Sequence, residues 1–76
     1  MEINMSEKKT NDHIERMKIE HKELVDRQGV LNAFIHGNSM FKDLDDLEQA
    51  RMIKQSGFMG AYARVLEQRI WTAVGK

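Results

Sequence analysis

Serine occurs only at positions 6, 39 and 56 and cysteine not at all, which leaves nucleophilic catalysis little footing. The histidines at 13, 21 and 36 lack metal-ligand spacing. "HIERMKIEH" is not an HExxH arrangement, and His13 and His21 stand eight residues apart. Asp45 and Asp46 sit where a helix should start, so they read as capping and dipole-compensating acids rather than a glycosidase pair. "HGNS" has one glycine and no following lysine, which is not a phosphate-binding loop. What remains is binding chemistry. Arg51, Lys54, Arg64 and Arg69 supply cations, and Tyr62 and Trp71 supply rings. These cations do not read as a single basic stripe. Lys54, Arg64 and Arg69 drawn from neighbouring copies would converge on a compact anion, while Tyr62 or Trp71 stacks on a base.

Such residues need rigid elements to position them. Within "DHIERMKIEHKELVDRQGVLNAFI", Ile14, Met17, His21, Leu24, Gln28, Leu31 and Ile35 recur at intervals of three and four, widened by Val25 and Asn32. That spacing predicts a helix over about 12–36, opened by a capping box of Asp12 and Glu15, with His21 and Gln28 as polar interruptions that fix register or touch a ligand. Residues 1–11 lack periodicity and are expected to form a flexible arm ahead of one helical domain, residues 12–76. Gly37 and Asn38 mark the break, as residues tolerant of left-handed backbone. Met40, Phe41 and Leu44 are expected to fold back over the helix end. Asp45 with Glu48 forms a second capping box, opening a helix over about 45–73.

On that second helix Leu47, Ala50, Ile53, Gly57, Phe58, Ala61 and Val65 gather on one broad side. Tyr62, Leu66, Ile70 and Ala73 adjoin it, and Met52 and Met59 extend it. Gly57 and Ala61, with Gly60 nearby, would let another helix backbone approach, so Gly57, Phe58, Ala61 and Val65 are the expected packing residues. The fold class is therefore all-α, two long helices in an antiparallel hairpin. One partner helix cannot cover so wide an apolar surface, which points to a helical homo-oligomer. The chain length supports this. Seventy-six residues bury about 60% of their unfolded surface, and without cysteine neither a disulfide nor a thiolate zinc site adds support.

Twelve basic and twelve acidic side chains balance, so linear nucleic acid and anionic membrane are disfavoured as partners. No apolar run reaches spanning length and no leader is visible, so a cytoplasmic protein is expected.

The layout over residues 12–73, and above all "LEQARMIKQSGFM" and "YARVLEQRI", resembles the small phage-encoded anti-CBASS proteins that act as sponges for cyclic-oligonucleotide immune signals. The resemblance implies a compact oligomer, hexameric in size, that sequesters cyclic di- or trinucleotides in the host cytoplasm between its subunits. It implies no catalysis, no cofactor and no metal. It also implies that Arg69 and Thr72 near the end of the last helix contact ligand; Arg64, Lys54 and Tyr62 join them as ligand-binding candidates on the residue reading given above. An aromatic–basic pair is implied on the first helix, where this chain offers only His13, Arg16 and Lys18. Two other readings stand beside it: a helical adaptor, inhibitor or structural oligomer that uses the apolar face against protein, and a nucleic-acid accessory module built on the four cations.

Overall fold

The computed structural model describes the backbone of residues 5–75 and the side chains of residues 12–75. Two α-helices, α1 (Met5–Gly37) and α2 (Asp46–Val74), flank a short 3₁₀ helix (Ser39–Asp43). α1 starts within the segment expected to be an irregular arm. Nothing in residues 5–11 breaks a helix, since glycine and proline are absent and Glu7, Lys8 and Lys9 are strong helix formers. Asp12 consequently lies inside α1 and pairs with Arg16 one turn on, at 2.9 Å, instead of capping.

The break also forms differently from expectation. No described residue has positive φ. Asn38 is extended, at φ −113° and ψ 123°, and its side chain accepts the Met40 N–H at 2.8 Å, capping the 3₁₀ helix. Phe41 is buried and meets Phe34 edge-on, with centroids 6.1 Å apart, whereas Met40 points to solvent. α2 opens at the predicted cap, where the Asp45 carboxylate accepts the Glu48 N–H at 2.8 Å, but the box is half formed because the Glu48 carboxylate pairs with Arg51 at 3.5 Å.

The helices run antiparallel. His21 meets Glu67, Gln28 meets Gly60 and Asn32 meets Ser56, so each step up α1 is a step back down α2. Met17 and Leu24 of α1 and Ala63 and Leu66 of α2 form the core, flanked by Ile14, Met59, Ile70 and Ala73. The α1 seam follows its predicted spacing, with Ile14, His21, Gln28, Leu31, Asn32 and Ile35 half-buried around Met17 and Leu24, but Val25, expected to widen it, faces solvent.

α2 turns a different side inward from the broad one expected. Gly57, Phe58, Ala61 and Val65 are exposed, as are Leu47, Ala50 and Ile53. A Cβ on Gly57 would meet nothing within 4 Å, so no close approach occurs there within the chain. The close approach is at Gly60, whose added Cβ would stand 2.8 Å from Gln28 Nε2. The reason is polar matching across the hairpin. Gln28 donates to the Ser56 carbonyl at 3.0 Å, and the buried Ser56 hydroxyl donates to Asn32 Oδ1. Polar groups that are buried need partners, and no buried side-chain polar atom among the described residues lacks one. Gln28, one of the predicted interruptions, thus fixes register.

Candidate functional site

The antiparallel register carries the start of α1 beside the end of α2. There His13 and Met17 join Val65, Gln68, Arg69 and Thr72 around an open groove of about 390 Å³. Met17 is buried at its base, while the imidazole, guanidinium and hydroxyl are solvent-accessible at its sides. Thr72 donates its hydroxyl to the Gln68 carbonyl at 2.9 Å, which anchors the rotamer and leaves the oxygen's lone pairs outward. No carboxylate lines this groove. An apolar floor with a cation, an imidazole and a hydroxyl suits a ligand that combines flat rings with phosphodiester charge.

A second groove of about 360 Å³ lies along α2, lined by Arg51, Lys54, Gln55, Phe58, Met59 and Tyr62. Lys54, Phe58 and Tyr62 follow at intervals of four, which stacks them on one helical face. A third, of about 340 Å³, places Lys18 of α1 next to Trp71 and Ile70 of α2. No carboxylate lines either, but Arg51 pairs with Glu48 at 3.5 Å and Lys18 with Glu15 at 3.7 Å.

The residues singled out from the sequence therefore divide. His13, Arg69 and Thr72 share one groove, Lys54 and Tyr62 another, and Lys18 the third. Arg16, paired with Asp12, and Arg64 line none of these three. The cations are also less scattered than their spacing first implies. Eighteen residues are five turns of 3.6, so Arg51 and Arg69 lie on one line along α2, about 27 Å apart, with Lys54 about 60° off that line and Arg64 about 140° off it. Sequence reasoning counted Arg51 among the cations but left it out of the small-ligand candidates, and it passed over Gln68. The signal available for Arg51 was its place one turn before Lys54 and two turns before Phe58. Gln68 had no such signal apart from adjacency to Arg69.

The chemistry available here is capture. Among the described residues no cluster of three histidines or acids could hold a metal, and no helix is long and apolar enough to cross a membrane. A family model described as Sequestin matches residues 11–72, nearly the whole chain. No curated protein matches the sequence, and no solved structure does.

Proposed function

The chain belongs to the Sequestin family, whose members sequester cyclic oligonucleotide signals without turning them over, and we propose that its capture site is the groove of His13, Arg69 and Thr72. The protein is not an enzyme; its action is stoichiometric, lowering the free concentration of a signal. The observation that carries the assignment is the convergence of those three polar side chains, from opposite ends of the chain, on a groove lined otherwise by Met17, Val65, Gln68 and Ala73 and by no acid. The Arg69 guanidinium engages a phosphodiester through two parallel hydrogen bonds. Thr72 accepts from a ribose hydroxyl or a base edge, and a base lies on Met17 and Val65. His13 supplies a second polar contact from α1.

The groove is open, so one copy covers one side of a cyclic di- or trinucleotide. Self-assembly closes the other side, and the exposed Leu47, Ile53, Phe58 and Val65 supply apolar surface for it. A hexamer is the size favoured by the likeness to anti-CBASS sponges.

The test is calorimetry of the wild-type chain against a panel of cyclic di- and trinucleotides, with native mass spectrometry for chain count. Tight binding of at least one member, recovered chemically unchanged after denaturation, is the expected result. A chain that ignores the whole panel would return the apolar face of α2 to a protein-binding role.

A further inference from the structure

We propose that Gln68 reads the base of the captured ligand and selects adenine. The inference rests on the capture groove proposed above and adds the residue that decides what the groove prefers.

Bases differ in the donors and acceptors that stand side by side along a ring edge, so a reader needs a donor and an acceptor side by side as well. The polar groups of the groove are unequal in this respect. The Arg69 guanidinium carries donors and no acceptor. Thr72 has its one hydroxyl proton committed to the Gln68 carbonyl at 2.9 Å, so towards a ligand its oxygen accepts. In a neutral His13 imidazole one nitrogen donates and the other accepts, but they point in diverging directions. The Gln68 amide holds a carbonyl oxygen and an NH2 in one plane, facing the same way. Gln68 lines the groove and is exposed, and Thr72 grips its main chain without occupying that amide.

Its place on α2 suits the role. Gln68 lies about 60° round the helix from Val65 on one side, and Arg69 about 40° on the other. Long side chains on a helix lean towards its N-terminus, so both reach back over the turn that carries Val65. A base lying on Val65 therefore has a guanidinium on one flank and an amide on the other. The phosphodiester takes the first and the base edge takes the second.

Adenine is the base that matches the amide along two edges. Its 6-amino donor stands between two ring acceptors, N1 and N7, so Gln68 accepts from the amino group and donates to either nitrogen. Guanine presents O6 and N7 as paired acceptors, and against that edge the amide oxygen is left unpaired. Cytosine and uracil lack the second edge and cover less of Val65 and Met17.

The test is calorimetry of the wild-type and Gln68→Met chains against two ligands, cyclic tri-adenylate and the same ring with each 6-amino group replaced by hydrogen. Methionine matches glutamine in length and helix propensity and position 68 is exposed, so circular dichroism should show an unchanged fold. The wild type should bind cyclic tri-adenylate at least about tenfold more tightly than the analogue. Gln68→Met should bind cyclic tri-adenylate about tenfold more weakly than the wild type and no longer separate the two ligands, while the analogue binds both chains alike. A variant that keeps the preference for the amino group, or that loses the analogue as well, overturns the assignment of Gln68 and leaves sequestration standing. So does a wild type that is indifferent to the amino group or that favours cyclic tri-guanylate. A wild-type chain that binds no cyclic nucleotide overturns the capture reading along with it.

Discussion

Arg69 and Thr72 are one turn apart at the end of α2, and the hairpin adds His13 to them from the other end of the chain. Arg69 is the group whose loss should be felt most. A hydrogen bond to a charged group contributes about 1.5–3 kcal/mol, so Arg69→Ala should weaken cyclic-nucleotide affinity about 10- to 100-fold by calorimetry, with the fold intact by circular dichroism. Arg69→Lys should recover only part of it, since an ammonium cannot make the paired contacts of a guanidinium. Unchanged affinity in Arg69→Ala would remove the residue from the site. Two glycines offer a contrast at the same scale. Gly57→Ala adds a methyl in open space and should raise stability by about 1 kcal/mol, about 4–8 °C in Tm. Gly60→Ala gains the same helix propensity, but its Cβ forces Gln28 off the Ser56 carbonyl, forfeiting about 0.5–1.5 kcal/mol, so its Tm should barely move. A fall in Tm at Gly57→Ala would mean that another copy occupies that surface.

The hairpin depends on a few local devices between its two long helices. Asp45 is the clearest, because its carboxylate satisfies an otherwise orphaned N–H at the start of α2. Asp45→Ala should cost about 1 kcal/mol, read as a lower denaturant midpoint at unchanged m-value. This cap was legible in the sequence because it is local: the Asp45 carboxylate needs only the backbone N–H three residues on. The α1 seam was legible for a related reason, since Met17, Leu24 and their neighbours form a narrow stripe with charge on both sides. The inner face of α2 was not. Its apolar residues spread around much of the helix, and the decision falls to Asn32 and Gln28, which meet Ser56 across the chain. The start of α1 misled because Asp12 and Glu15 imitate a capping box within a segment that continues helical upstream. The site was half legible. Residue type and family likeness pointed to Arg69 and Thr72, whereas grouping them with His13, and parting them from Arg16 and Arg64, required the hairpin's register.

At the scale of the molecule, an isolated hairpin is a poor solution to its own composition. The described residues span 57 × 22 × 18 Å. Five apolar side chains are buried while eleven large ones remain exposed, Phe58, Leu47 and Trp71 among the most open. Burial of a leucine-sized side chain contributes about 1.5–3 kcal/mol, so covering even a few of those eleven outweighs much of what the core supplies. Folding and association should therefore be linked, and Tm should rise across a concentration range on the order of a hundredfold. A Tm that ignores protein concentration would show that the hairpin stands alone. Ligand acts on the same balance, and at about one hundred times its Kd it should add about 2.7 kcal/mol, or about 10–20 °C. Arg69→Ala divides the two effects: the variant should keep the concentration dependence, which comes from the exposed apolar side chains of α2, and lose the increment from cyclic nucleotide, which comes from the guanidinium. If both vanish together in Arg69→Ala, the arginine holds the copies together and the exposed apolar face of α2 does not.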